Sequence, residues 1–446
     1  MMAELKDIFF AESVAVVGAS ASPEKTGYKI LKNIIDGGYQ GKIYPINPKC
    51  DVILDCKCYK SLAEIDSGVD LVVVVVPAAF VPSVMSQAVE AGAKGAVIIS
   101  GGFKEIGKDD LEVEVMDIAR SGNIRVFGPN CQGVNYTPNK MCATWPLIDK
   151  RGPIAVISQS GTIGAYIEQQ ATQDNIGISS FVALGNKADI SELDLLPFFA
   201  QDENTTCIAL NLEGVKDGKA FIEIASEVGK IKPVVVLKPG STSKGAKAAQ
   251  SHTKSICGDD SVFTAACERA GIIRTNTVEE FYDTCKICAL LGMPEDDGMY
   301  VITSSGGSGI LAVDTAEKAN IRITEPETAT LENLRANLPS HCVVSNPLDL
   351  TGDAGSDRYA QSISILGNDQ GCGLVLAIFG DPIPDAAKYL SQVKDNIRQK
   401  LVVCYIGGGA VELKEVPALN NAGIPVFPTP ERAVNAISNW LRLRKK

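Results

Sequence analysis

The triplet Ser251-His252-Thr253 holds one of only two histidines in the 446-residue chain, and this imidazole is the side chain best suited to nucleophilic chemistry. A neutral imidazole attacks an electrophile such as phosphorus at neutral pH without an activating base. Its approach, Lys238-Pro239-Gly240-Ser241-Thr242-Ser243-Lys244-Gly245, follows a buried strand over 233–237 and is rich in small residues and lysine. It reads as a loop that exposes the imidazole. A carboxylate accepting the other ring N–H would set the tautomer and stabilise the cation formed on attack. Glu213 is the candidate, because it ends a strand over 207–212 and precedes Gly214. Strand carboxyl ends line ligand crevices in doubly wound sheets.

Three strand-to-helix turns are suited to anions: Val17-Gly18-Ala19-Ser20 followed by Lys25-Thr26-Gly27, Ser158-Gln159-Ser160-Gly161-Thr162, and Ser304-Ser305-Gly306-Gly307-Ser308-Gly309. Small residues let the backbone approach a phosphate, and a helix start adds N–H groups and about half a positive charge. None is a Walker loop, since the Gly-Lys-Ser/Thr ending is missing from each. Where an NAD site would place Asp or Glu, the chain reads Tyr44-Pro45-Ile46-Asn47-Pro48-Lys49. A cation there suits a phosphorylated ribose, that of coenzyme A or of NADP. Two anion-ready helix starts in separate domains, with an exposed histidine, suggest a phosphate held between domains.

Such turns require parallel strands alternating with helices. The length predicts about three domains, and short apolar runs alternate with longer amphipathic ones throughout. That pattern predicts an α/β protein of doubly wound parallel sheets. The first domain spans 1–140, with strands over 14–17, 42–46, 71–76, 96–99 and 124–127 and helices over 26–35, 81–91 and 109–121. A polar connection over 137–152 leads to a second domain over 150–292, with strands over 154–157, 178–183, 207–212, 234–237 and 272–274 and a helix over 278–291. The acidic, turn-rich stretch 292–298 precedes a third domain, 298–446, with strands over 299–303, 374–378, 401–406 and 425–427.

A net charge of −11 argues against a general nucleic-acid or anionic-membrane surface. The longest strongly apolar run, 71–76, is far too short to cross a bilayer, and residues 1–10 lack a signal-peptide core. A cytoplasmic location is expected. Thirteen cysteines are scattered through the chain, with Cys56/Cys58 and Cys285/Cys288 the only close pairs. Reduced cysteines and no metal site are expected.

The motifs, taken in order, resemble one family. Phe127-Gly128-Pro129-Asn130-Cys131-Gln132-Gly133, Ser158-Gln159-Ser160-Gly161-Thr162, Ser251-His252-Thr253 and Asn346-Pro347-Leu348-Asp349-Leu350 are similar to those of the nucleoside-diphosphate-forming acyl-CoA synthetases. Within that family the chain resembles the α subunit of ADP-forming acetate–CoA ligase, with succinyl-CoA synthetase a more distant cousin. The resemblance covers almost the whole chain. It implies a Rossmann-like CoA-binding domain followed by two flavodoxin-like ligase domains, and conversion of a carboxylic acid, CoA and ATP to acyl-CoA, ADP and phosphate. It implies that His252 is phosphorylated and that Glu213 orients it. Ser160, Gly161 and Thr162, with Ser308 and Gly309, would begin the two helices that hold the phosphate. Gly18, Ala19, Ser20, Lys25, Lys49, Pro77, Ser100, Gly101 and Gly102 would serve the CoA site, with Asn130 and Cys131 near its pantetheine end. ATP or ADP with Mg2+ would bind a separate ATP-grasp β subunit in an α2β2-like assembly.

Two departures stand out. Relatives continue with Gly-Ala where this chain has Lys254-Ser255, and Tyr166 lies one position later than the substrate-contacting tyrosine of succinyl-CoA synthetase. The second makes succinate unsupported as substrate. The competing readings are a non-catalytic CoA-binding regulatory or scaffold protein and an NAD(P)-dependent oxidoreductase; the missing acidic ribose anchor argues against the latter.

Overall fold

The computed structural model describes residues 4–253 and 259–445. The chain forms two compact units, one of Met1–Gln169 with Gly177–Ala270 and one of Gln170–Ile176 with Gly271–Lys446.

The first unit opens with β1 (Ser13–Val17) and β2 (Lys42–Ile46), then a small antiparallel ribbon of β3 (Val52–Ile53) and β4 (Cys56–Lys57). With β5 (Leu71–Val74), β6 (Gly95–Ile98) and β7 (Arg125–Phe127) it forms a parallel sheet ordered β2-β1-β5-β6-β7. Every residue of β5 is buried, as a valine run covered on both faces requires. Strand order reverses between β1 and β5, which opens a crevice at their carboxyl ends.

A second sheet follows in the same unit. β8 (Gly133–Tyr136) and β9 (Met141–Thr144) form an antiparallel hairpin that pairs with β11 (Ile178–Ala183). β11, β10 (Arg151–Ser158), β12 (Cys207–Asn211) and β13 (Val234–Leu237) run parallel in the order β13-β12-β10-β11. The expected connection over 137–152 is thus corrected: it contains β9 and the start of β10. Its prolines and polar residues obscure the alternation, but the side chains of β9 are all buried. An aromatic cluster joins the two sheets into one unit. Phe9 is fully buried, with its ring centroid 5.9 Å from Phe127, 5.4 Å from Tyr136 and 4.6 Å from Phe198.

The second unit contains β14 (Ile273–Thr275) and a parallel sheet of β15 (Met299–Thr303), β16 (Leu348–Asp349), β17 (Leu374–Phe379), β18 (Lys400–Tyr405) and β19 (Val426–Phe427). Its order, β16-β15-β17-β18-β19, is the flavodoxin-like order. Buried Lys286, on the helix Val278–Leu291, donates to Asp174 at 3.0 Å and to the Val426 carbonyl at 2.6 Å. These bonds draw residues 170–176 into this unit. Nearby, Arg432 grips buried Asp283 with two bonds of 2.7 and 2.8 Å. The protein is therefore α/β, with a Rossmann-like sheet followed by flavodoxin-like sheets. Among the described residues, no helix is long and apolar enough to cross a membrane.

Candidate active site

The first glycine turn is held by close backbone packing. Gly18 has a φ of +94°, and its N–H donates to Ile46 O at 3.1 Å. Gly27, in the first turn of the helix Thr26–Asp36, faces it so closely that a Cβ would lie 2.0 Å from Gly18 O. Gly27→Ala must therefore push the helix off the turn. It is expected to cost toward the upper end of the ~1–3 kcal/mol typical of overpacking, read as a lowered urea midpoint at constant m-value. Asn47 Nδ2 donates to Ala19 O at 2.7 Å, tying the end of β2 to the same turn. Ser20 is buried and accepts from Ser22 N at 3.1 Å, whereas Lys25 and Lys49 are exposed.

Beyond this turn lies a cleft of about 540 Å³ in which many of the expected residues meet. One side is formed by Pro77, Ser100, Gly101, Asn130 and Cys131, and the other by Ser160, Gly161 and Thr162. Gly18, Ala19, Ser20, Lys25, Lys49 and Gly102 do not line it. Ser100 Oγ donates to Val76 O, and Asn130 N donates to Ser100 O at 2.9 Å. These bonds join the ends of β5, β6 and β7. Burial pushes the Cys131 thiol up to about 12, so it is a neutral S–H at physiological pH and no nucleophile. Iodoacetamide at pH 8 is expected to spare Cys131 in the folded protein and to label it in urea, read by peptide mass mapping.

The other side is the start of the helix Gly161–Gln173 at the carboxyl end of β10. Ser160 Oγ accepts from Ile163 N at 3.4 Å, a long N-cap bond. The N–H groups of Gly161 and Thr162 belong to the first turn, where no intrahelical acceptor exists. Buried Ser158 fixes this turn with its single hydroxyl proton shared between Ser160 O at 2.6 Å and Asn211 Oδ1 at 3.1 Å. Here β10 meets β12, the point at which this sheet reverses its order.

Glu213 lies just past β12 and is 7% exposed. The backbone here is clamped at two neighbouring residues: Gln159 Oε1 accepts from Glu213 N at 2.7 Å, and Lys187 Nζ donates to Gly214 O at 2.8 Å. Lys187 also pairs with Glu192 at 2.9 Å, both fully enclosed. The neighbouring Asn186 lines the cleft and donates to Glu105 at 2.7 Å and to Glu112 at 2.9 Å. Burial raises the Glu105 carboxyl, but bonds from Asn186 and the Gly102 and Phe103 amides outweigh it and hold the group below its ordinary value.

His252 corrects the expectation of a loop: its backbone lies in the helix Ser243–Thr253. Thr242 starts that helix by accepting from Gly245 N at 3.1 Å, and the Ala- and Lys-rich residues that follow are strong helix formers. The His252 side chain and the whole of Lys254 lie outside the described residues. In the second unit the helix begins at Gly306, not at Ser308-Gly309 as expected. Gly309 N already donates to Ser305 O at 3.0 Å, so the open first turn belongs to Gly306, Gly307 and Ser308. The sequence TSSGGSG offers several equivalent starts, and Thr303 chooses among them by bonding both Ser305 N and Ser305 O at 2.9 Å.

Gln159, Asn186, Gln132 and Trp145 also line the cleft, and the sequence alone assigns none of them a role. Gln159 sat inside a recognised motif, so its place was legible. Trp145 lay in the stretch read as a connection.

A family model described as a CoA binding domain matches residues 12–137, and one described as a succinyl-CoA ligase like flavodoxin domain matches residues 151–288. The chain is 41% identical to the acetate–CoA ligase (ADP-forming) I subunit alpha of Pyrococcus furiosus, covering 99% of both chains. It is 40% identical to the acetate–CoA ligase (ADP-forming) of Methanocaldococcus jannaschii, covering 98% of this chain but 63% of that longer relative. The structure of a dinucleotide forming acetyl-coenzyme A synthetase 1 from Ca. Korarchaeum cryptofilum, in complex with phosphate and ADP, superimposes with a TM-score of 0.93 at 36% identity, covering 99% of this chain and 97% of that one.

Proposed function

Because the chain belongs to the ADP-forming acyl-CoA ligase family as an α-subunit-type chain, and hence to the ligases that form carbon–sulfur bonds, we propose that it passes a phosphoryl group through His252 while joining a carboxylic acid to CoA. The observation that carries the reading is the single cleft in which the Pro77, Ser100 and Asn130 loops face the helix start at Gly161. Glu213 is fastened to that helix start through Gln159.

In this scheme a His252 ring nitrogen attacks the terminal phosphorus of ATP, and the bond to the ADP oxygen breaks. Glu213 accepts the other ring N–H and stabilises the cation that forms. The carboxylate of the acid then attacks phosphorus, the P–N bond breaks, and His252 is restored as acyl phosphate forms. Attack of the CoA thiolate on the acyl carbon breaks the C–O bond, and phosphate leaves toward the Gly161 and Thr162 amides. Splitting one difficult transfer into in-line steps is what the histidine contributes. The CoA site draws on the Gly18-Ala19-Ser20 turn, Gly102 and the exposed Lys25 and Lys49, whose charges suit its phosphates. The cleft between Pro77 and Asn130 suits a slender thiol-bearing arm. Gly306, Gly307 and Ser308, with Gly309 behind them, offer a second anion-binding helix start in the other unit.

The nucleotide and its Mg2+ belong, in this reading, to a separate ATP-grasp β subunit in an α2β2-like cytoplasmic assembly. Support comes from the Pyrococcus relative being an alpha subunit and from the greater length of the Methanocaldococcus relative. The test is ADP and thioester formation from acid, CoA and ATP, with and without the co-expressed β subunit. Turnover by the complex alone is expected. ADP formation by the α chain alone would refute the division of labour, and a complex that forms no thioester would refute the ligase reading.

A further inference from the structure

The cleft holds one large side chain that phosphoryl transfer does not require. Trp145 is the only aromatic residue among those described as lining it, and it is 43% exposed. Its position is set from two directions. The hairpin β8–β9 ends at Thr144, whose Oγ1 donates to Pro146 O at 2.8 Å and turns the chain. Buried Asn33, from the helix Thr26–Asp36, donates to the carbonyls of Thr144 at 2.9 Å and of Trp145 at 2.7 Å. At the other end of the side chain, the amide orientation of Gln132 that satisfies both neighbours accepts from the indole N–H at 3.2 Å and donates to Gly161 O at 3.0 Å. Glycine at 161 makes this possible, since a Cβ there would lie 2.3 Å from Gln132 Cδ. The indole is thus held at its backbone and its ring nitrogen, and is tied to the first residue of the anion-binding helix.

A second observation concerns charge. None of the described lining residues bears a charged side chain. A second carboxylate on the acid would enter this cleft without an ion partner, and an unpaired charge removed from water is strongly disfavoured.

We infer that Trp145 is the wall against which the acyl group packs, that it sets the length and bulk of the acid the cleft accepts, and that the uncharged lining disfavours dicarboxylic acids. The inference rests on the ligase reading, which fixes the two ends of the acyl site. The phosphate end is at the Gly161 and Thr162 amides, and the thiol end is beside Pro77, Ser100 and Asn130. The reacting carbonyl lies between them, so its alkyl part turns to the remaining walls. Ala183, Gly185 and Asn186 are small or polar, and the apolar Val75, Val76 and Ile99 adjoin Pro77 and Ser100 at the thiol end, so the indole is the large apolar surface of the cleft away from that end. The backbone bonds and the Gln132 bond oppose displacement of the ring by a longer chain. Gln132 is a positioning residue that sets the distance from this wall to the helix start.

The test compares kcat/KM for acetate, butyrate, phenylacetate and succinate in the αβ complex of the wild type, Trp145→Ala, Trp145→Phe and Gln132→Met, with melting temperatures to verify folding. Methylene-scale changes in an apolar pocket alter kcat/KM by roughly 10–200-fold. Trp145→Ala is expected to raise the butyrate-to-acetate and phenylacetate-to-acetate ratios by about tenfold or more. Trp145→Phe should give a smaller rise, and succinate should stay the poorest acid throughout. Gln132→Met should raise the same ratios, with the change carried by KM, which a purely structural defect would not do. Ratios unchanged in both Trp145 variants, with active wild type, would overturn the wall and leave the ligase reading intact. Efficient use of succinate by the wild type would overturn the charge argument. A wild type inactive with every acid would refute the ligase reading itself.

Discussion

Replacing His252 with alanine is expected to lower acyl-CoA formation by the αβ complex by about 10⁴-fold or more, the scale seen when a covalent nucleophile is removed. In the proposed scheme every phosphoryl group passes through this ring, so losing it removes both halves of the reaction. His341, the chain's second histidine, belongs to the other unit, where its Nε2 lies 3.3 Å from Asp353 Oδ1. Cys131, the buried thiol of the cleft, stays protonated. The measurement is the initial rate of thioester formation, with a melting curve to show that the variant folds. A variant within tenfold of wild type would remove His252 from the reaction path.

Glu213→Gln is expected to lower kcat by about 10²–10⁴-fold, as when a carboxylate that orients a catalytic imidazole becomes an amide. The substitution keeps the shape of the side chain. It also leaves both backbone clamps in place, the bond to Gln159 and the Lys187 bond to Gly214 O. The loss therefore reports charge rather than collapse of the turn. An amide cannot stabilise the imidazolium and can present the wrong hydrogen-bonding group to the ring. Single-turnover phosphorylation of the complex by ATP should slow in proportion to kcat. An unchanged rate would mean that Glu213 does not face the imidazole.

Strong periodicity made most of the architecture readable. The helix read over 109–121 is Asp109–Ser121, and that over 278–291 is Val278–Leu291. Acidic first turns and glycine just beyond the last residue mark the ends of both. The valine run read as a strand over 71–76 stops at Val74, because Val75 and Val76 turn away to line the cleft. Where small residues dominate, local pattern misleads. The stretch before His252 reads as a loop, although Thr242 can cap a helix there, and TSSGGSG does not disclose which residue opens its helix.

The lining of the candidate site is legible where a residue sits in a strand-to-turn motif, as Ser160, Gly161 and Asn130 do. It was not legible where the position depends on long-range pairing. Trp145 reaches the cleft because β8 and β9 form a hairpin and because Asn33, 112 residues away, donates to its carbonyl. Neither spacing nor composition discloses such a contact.

The central claim, that this chain carries phosphate on His252, is most directly tested by incubating the αβ complex with acetyl-CoA and radiolabelled inorganic phosphate in the absence of nucleotide. The account predicts acid-labile, base-stable label on the α chain, mapped to the peptide containing His252 and transferred to ADP when ADP is added. Acetyl phosphate formation with no label on the α chain, or label that persists in His252→Ala, would contradict it.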